Sequence, residues 1–222
     1  MLSKKKIISS LLAVVMSASM TIAFADTNTN YNRTNAANYA AQYVENRNTA
    51  YYEVPGNDCT NFASQCVKAG GMSMTGNGGN YSNYNNWYGG SGGGSATWEN
   101  AHQFRYHWGN VNGTGRKRAY SMTKVAASEV KPYNNTASDN KWTNSIYNVV
   151  KPGDIIQYYN PNTNETYHSQ VVHRISIENG ELKVSMAQHT GNGWRNLRDY
   201  IRCICSDSTI LCILKIKNDD SV

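Results

Sequence analysis

Charged side chains are scarce in this sequence. They make up 16% of the 222 residues, against about a quarter in typical globular proteins. The longest runs of like charge are only three residues, at 4–6 and 116–118, and aromatic residues are plentiful, with 16 Tyr and 5 Trp. Such a chain can bury apolar surface, which excludes disorder driven by charge repulsion. Repeats of solenoid length are missing, and so are the several long apolar runs of a multi-pass membrane protein.

A single long apolar run near the N-terminus has the features of a secretory signal peptide. Three lysines (Lys4–Lys6) precede a mostly apolar stretch over 7–20, and Ala23–Ala25 forms the small-x-small pattern that signal peptidase accepts. We therefore predict a signal peptide over residues 1–25 and a single domain over residues 26–222. An uncleaved anchor helix is the alternative interpretation.

The predicted cleavage also changes the charge of the chain. It removes three lysines and no acidic residue, so the formal net charge falls from +6 to +3. A mildly cationic surface suits an anionic cell envelope and does not indicate nucleic-acid binding. We expect a secreted, extracellular monomer, associated with the cell wall or free, without membrane contact after cleavage.

Helical periodicity precedes extended periodicity along the chain. The spacing of apolar residues predicts helices over 32–48, 59–69, 97–108 and 142–150. It predicts strands over 155–159, 167–177, 182–189 and 209–217. A stretch rich in Gly, Asn and Tyr over 76–95 is predicted to be a long surface loop. Helices followed by strands favour an α+β fold, with N-terminal helices packed on a C-terminal antiparallel sheet.

Cys59 has the sequence context of a nucleophile. The chain has five cysteines, and an odd number in a secreted protein leaves one thiol unpaired. Cys59 begins the second predicted helix directly after the capping residue Asp58. Free backbone N–H groups and the positive end of the helix dipole favour a thiolate there and can hold an oxyanion. A small buried residue or half of a disulfide is the alternative interpretation, and Cys66 is interpreted as a core residue or a disulfide partner.

The register of a predicted hairpin places the histidines. An Asn-Gly turn at 179–180 sets Gln170 opposite His189, and opposite residues of an antiparallel pair share one face. His168 then lies on the same face as His189, whereas His173 faces away. We interpret His168 as the base that meets the cysteine and His189 as the residue that orients it. A one-residue slip or a bulge would exchange these assignments.

A zinc hydrolase is the rival use of histidines. His102 and His107 are five residues apart on a predicted helix, which separates them by about 140° around its axis. The sequence also has no H-E-x-x-H motif. We therefore expect neither a metal nor an organic cofactor.

Three blocks of sequence resemble the putative amidase domain of secreted Gram-positive proteins. They are the run from Asp58 to Cys66, the run from Lys151 to Tyr158, and Tyr167 to Val172 followed by Gln188 to Thr190. The first block is specific. That family is similar to NlpC-type and CHAP-type cysteine peptidases, which share a papain-like α+β core. The resemblance implies a catalytic cysteine at Cys59, a base at His168 and a third polar residue at His189.

Further residues are candidates for binding and orientation. Asn57, Tyr52 and Gln170 are candidates for a second oxyanion donor or an orienting group. Trp87, Tyr88 and Trp98 are candidates for lining a substrate groove, with packing of the loop onto the domain as the alternative.

The sequence favours a cysteine amidase or peptidase that hydrolyses an amide bond through a thioester. Peptides of the bacterial cell wall are the expected substrate class, because the enzymes that the chain resembles act there. A non-catalytic secreted module that binds the envelope through the same fold is the first alternative. A transferase that passes the acyl group to an amine is the second.

Overall fold

The computed structural model describes residues 31–76, 81–109, 119–191 and 193–216. The predicted signal peptide over 1–25 lies outside these ranges. Within them, no helix is both long and apolar enough to cross a membrane.

The N-terminal half consists of helices joined by an ordered loop. Helix α1 spans Arg33–Tyr43 and is shorter than predicted, whereas α2 spans Cys59–Ala69 and is confirmed. Two-residue strands β1 (Gly89–Gly90) and β2 (Gly93–Gly94) pair within the loop. Helices α3 and α4 replace the single helix predicted over 97–108, with bounds Ala96–Glu99 and Ala101–Gly109.

The break between α3 and α4 has a local cause. Asn100 has extended backbone angles, with φ −109° and ψ 129°. Its side-chain oxygen accepts a hydrogen bond of 3.1 Å from the backbone N–H of Gln103. Asparagine competes for backbone groups in this way, and it therefore ends one helix and begins the next.

The C-terminal half forms a six-stranded antiparallel sheet with the order β3-β8-β4-β5-β6-β7. Its strands are Ala119–Ala126 (β3), Ile155–Asn160 (β4), Glu165–Glu178 (β5), Glu181–Gln188 (β6), Gly193–Asn196 (β7) and Ile210–Ile216 (β8). Short helices lie between them, namely α5 (Ala127–Val130), α6 (Thr136–Trp142), a π-helical turn (Thr143–Tyr147) and α7 (Leu197–Ile204). The predicted α+β class is confirmed, and β3, β7 and α7 were not predicted.

Each face of the sheet carries its own hydrophobic core. On the first face, Ile155, Val171 and Leu214 pack with the buried residues of α1, α2 and α4. On the second face, the neighbouring residues Ile156 and Val172 pack with α5, α6 and α7. The alternation of side chains along each strand produces the two layers, so a one-residue shift in register moves a side chain from one core to the other.

Such a shift occurs in the hairpin of β5 and β6. The predicted pairing of Glu178 with Glu181 is confirmed, but the register changes by one residue between Arg174 and Val172. The bulge lies at His173, and beyond it Val172 pairs with Met186. The register that we used to place the histidines on the faces of the sheet is therefore wrong by one residue beyond the bulge.

Candidate active site

Cys59 is the first residue of α2, at the point where β6 ends. The backbone N–H of Asp58 donates to the hydroxyl of Thr190, just beyond β6, over 2.8 Å. The hydroxyl of Thr60 lies 2.9 Å from that of Ser169 on β5. The N-terminus of α2 thus occupies the space beside β5 that β6 leaves open. The Cys59 thiol has a hydrogen bond to the backbone of Ser169, the residue that follows His168 on β5.

Asp58 anchors this helix end through its carboxylate. One oxygen accepts from the backbone N–H of Val54 at 2.8 Å and from the amide of Asn61 at 2.7 Å. The other faces Arg47 and His189. Burial by itself raises the pKa of Asp58, but the hydrogen bonds from His189, Asn61 and Val54 and the charge of Arg47 outweigh it, so the pKa lies below its usual value.

Because Asp58 uses its oxygens in this way, its side chain accepts no hydrogen bond from the backbone N–H groups of the first turn of α2. An N-cap aspartate ordinarily accepts from the backbone N–H groups two and three residues on. Those groups, together with that of Cys59, lie at the positive end of the helix dipole, and the N–H of Thr60 lowers the pKa of the Cys59 thiol. They can stabilise an anion formed there.

We predicted that His189 orients His168, but it instead anchors this end of the helix. Its Nδ1 lies 2.6 Å from a carboxylate oxygen of Asp58, and its Nε2 donates to the carbonyl of Tyr43 at 2.8 Å. The ring stacks on Phe62 with 4.0 Å between centroids. The bulge is the reason, because it turns His189 to the first face, toward α2.

Gln188 takes the place that we assigned to His189. Its side-chain oxygen lies 3.1 Å from Nε2 of His168 and 2.5 Å from the amide nitrogen of Gln170. Its amide nitrogen donates to the carbonyls of Thr190 and Gly191, at 3.0 and 3.3 Å. Two carbonyls therefore fix which way the Gln188 amide points, and its oxygen faces the histidine ring.

These hydrogen bonds determine the tautomer of His168. The Gln188 oxygen is an acceptor, so Nε2 of His168 must carry the proton and Nδ1 keeps its lone pair. Gln170 extends the chain, because its own side-chain oxygen accepts from the hydroxyl of Tyr158. The ring of His168 stacks on Tyr200 of α7, with centroids 5.7 Å apart and planes inclined by 20°. His168 is thus held as a neutral base with a defined orientation.

The pKa directions agree with a neutral pair. Burial lowers the pKa of His168, the hydrogen bond that His168 donates to Gln188 opposes this, and the charge of Arg195 lowers it further. Burial raises the pKa of the Cys59 thiol, and hydrogen bonds from Thr60 and the backbone of Ser169 offset this only in part. Burial therefore opposes the thiolate that the helix start favours, and the directions of both pKa shifts favour a neutral thiol beside a neutral imidazole.

The candidate oxyanion donors differ in position. The side-chain oxygen of Asn57 lies 3.8 Å from the Cys59 sulfur. Tyr52 is exposed, and its backbone carbonyl accepts from Asn61. Gln170 is fully buried and bonded to Tyr158 and Gln188, so it supports the base. Asn57 is the candidate that contacts the nucleophile.

Two of the residues predicted to line a groove belong to the core. Trp87 and Trp98 are 0% and 1% exposed, with ring centroids 4.7 Å apart. Their indole nitrogens donate to Ser64 and Asn61, at 3.1 and 2.7 Å. A buried ring cannot contact a substrate, so this expectation is corrected for both, while Tyr88 is half-buried. Burial follows from the loop, which folds over α2 and closes the first core.

The structure also shows the state of the cysteines and of the residue types that bind metals. All five thiols are free, and Cys66 is a fully buried member of the first core. Across the described ranges, no three His, Cys, Asp or Glu side chains form a group that could hold a metal ion.

A family model described as a putative amidase domain matches residues 30–213. The match spans most of the chain, so the chain belongs to this family, as the resemblance implied. Membership indicates an amidase-type function, which is the hydrolysis of amide bonds. No curated protein and no solved structure matches the chain.

Proposed function

We propose that this member of the putative amidase domain family is a cysteine-dependent amidase that works through a thioester acyl-enzyme. Cys59 is the nucleophile, His168 the base, and Gln188 the residue that positions the base. One observation carries the proposal. Gln188 accepts the Nε2 proton of His168 in a hydrogen bond, so the lone pair of the ring lies on Nδ1. His168 lies on β5, the strand against which the start of α2 at Cys59 packs.

The reaction begins from a neutral thiol and a neutral imidazole. Nδ1 of His168 accepts the thiol proton as the sulfur attacks the amide carbonyl, and a tetrahedral oxyanion forms. The protonated His168 then donates its proton to the leaving amine, and a thioester remains on Cys59. Water hydrolyses this thioester, with His168 again accepting and returning a proton.

The first turn of α2 stabilises the oxyanion. The backbone N–H of Cys59 is the first donor, because the first N–H groups of a helix have no partner within the helix. Asn57 is the candidate for the second donor. Its side-chain oxygen accepts from the Cys59 thiol at 3.8 Å, and its NH2 group on the same amide would donate to the oxyanion once the thiol proton has left. Gln170 takes no part in the oxyanion site and supports Gln188.

The proposal includes a papain-like relationship and a location. A cysteine at the start of a helix, packed against an antiparallel sheet that carries the histidine, is the arrangement of NlpC-type and CHAP-type peptidases. The predicted signal peptide and the mild positive charge support secretion into an anionic envelope. We propose peptides of the bacterial cell wall as the substrates.

The test compares the mature protein with Cys59→Ala in wall-fragment digests analysed by mass spectrometry. We expect release of peptide products by the wild type and a loss of about a thousandfold or more in Cys59→Ala, because no other group can form the thioester. Cys203→Ser is the matched control, since this exposed thiol lies outside the site and should keep full activity.

The outcome separates the candidate functions. Undiminished turnover by Cys59→Ala would refute the nucleophile assignment. Binding of wall fragments without products, equal in both proteins, would favour the non-catalytic module. Products joined to an added amine in preference to water would favour the transferase.

A further inference from the structure

Arg195 lies on β7 beside the base of the proposed site. Its guanidinium donates to the carbonyl of Gly191 at 2.7 Å and to that of Trp194 at 2.8 Å. The Gly191 carbonyl also accepts from the amide of Gln188, whose oxygen holds His168. A continuous chain of hydrogen bonds thus fixes the arginine relative to the histidine.

The segment that Arg195 binds also contacts the start of α2. Gly191 follows Thr190, whose hydroxyl accepts from the backbone N–H of Asp58, directly before Cys59. Burial lowers the pKa of His168, and the charge of Arg195 lowers it further. Arg195 is half-buried, so solvent screens its charge only in part.

Arg195 also differs from the other arginines of the described ranges in its partners. Arg33, Arg47, Arg174 and Arg198 each form an ion pair with a carboxylate. Arg105 and Arg202 each stack on a tyrosine ring. Within the same ranges, Arg195 has neither kind of partner and contacts only neutral backbone carbonyls.

An uncompensated cation at this place opposes the reaction in the empty site. The mechanism requires a proton on His168, and a positive neighbour disfavours imidazolium. A bound anion would remove this penalty and would form charge-assisted hydrogen bonds with the guanidinium.

We propose that Arg195 binds a carboxylate of the substrate next to the scissile amide, so that the substrates are acidic peptides. This inference rests on the proposed function, because it assigns the substrate class of that site. The carboxylate orients the peptide over Cys59 and restores the basicity of His168 in the complex. Neutral peptides of the same length should be poorer substrates.

The test uses two alkylating probes of nearly equal size, iodoacetate and iodoacetamide, of which only the first carries a carboxylate. Their rate constants at Cys59 are measured at pH 8 by peptide mass mapping, with the exposed Cys203 as internal reference. We expect the iodoacetate-to-iodoacetamide ratio at Cys59 to fall about tenfold in Arg195→Gln. Arg195→Lys should keep part of the preference, and Arg174→Gln, at a distant exposed ion pair, should keep all of it.

Each outcome decides the inference separately from the hydrolysis assay. An equal ratio in the wild type and Arg195→Gln would overturn it, even if Cys59 proves to be the nucleophile. A ratio that depends on Arg195 would support it as an anion site, even if no wall peptide is cleaved. Failure of both probes to modify Cys59 would overturn it, because the anion would then have no access to the sulfur.

Discussion

Two buried aspartates, Asp58 and Asp154, tie helices to the sheet through different kinds of partner. Asp154 precedes β4 and binds Arg33, at the start of α1, and Lys215, on β8. Asp58 precedes α2 and binds Arg47 and His189. Asp154 is 0% exposed and Asp58 is 2% exposed, so each buried carboxylate needs its charged partners.

The difference lies in how well the partners are enclosed. The side chains of Arg33 and Lys215 are 10% and 6% exposed, whereas that of Arg47 is 28% exposed and has a second carboxylate partner in Glu53, 3.2 Å away. Asp154 thus belongs to a closed ionic cluster that shares no residue with the proposed site. Asp58 belongs to a more open cluster, directly before Cys59. We therefore expect the ionic cluster around Asp58, at the proposed site, to contribute less to the free energy of unfolding than the cluster around Asp154.

The largest expected effect follows from Asp154→Asn. This substitution removes the buried carboxylate that binds both Arg33 and Lys215, and it should lower the free energy of unfolding by about 3–5 kcal/mol. Urea denaturation followed by tryptophan fluorescence at pH 7 measures it. The fraction that remains folded should keep the turnover number of the wild type, and a large loss of turnover would contradict the separation of the two clusters.

A smaller loss of stability is expected from Asp58→Asn, at about 2–3 kcal/mol, because solvent and Glu53 still stabilise Arg47. Turnover should fall strongly, since the cluster fixes the start of α2. A loss of stability as large as that of Asp154→Asn would show that exposure of Arg47 does not matter.

The pH dependence of this variant follows from the lowered pKa of Asp58. A carboxyl with a depressed pKa contributes stability above its unfolded pKa, and this contribution is lost as the pH falls through its folded pKa. The stability gap between the wild type and Asp58→Asn should hold from pH 7 to about pH 4 and shrink below that value. A gap that closes already near pH 6 would assign the effect to another group.

The sequence predicted the parts of the fold in which burial is strongest. Helix α2 and the central strands have enough buried apolar residues at regular spacing for their periods to be clear. The missed strands β3 and β7 are the two edges of the sheet. An edge strand needs few apolar residues, and β7 has only four residues in all, so its periodicity is too short to detect.

The same physical reason limits what the sequence can predict about the candidate site. Cys59 and His168 come from local signals, a helix start and a strand. The third residue depends on a register that the turn fixes only locally. The bulge at His173 shifts it, and Gln188 rather than His189 meets the base. A bulge forms where packing on both faces favours it, and nothing in the local sequence marks this one.

The smallest expected effects come from two glycines that precede the aspartates. Gly153 and Gly56 both have positive φ, at 85° and 72°, so alanine strains the backbone at either position. A Cβ at Gly153 would meet the backbone of Arg33 at 3.1 Å, whereas a Cβ at Gly56 would meet nothing within 4 Å. Gly153→Ala should therefore cost about 1–2 kcal/mol more than Gly56→Ala in the same urea experiment. Equal losses of stability would mean that α1 moves away from the added Cβ as easily as the loop before α2 does. The rigidity of the cluster around Asp154 would then come from its charges alone.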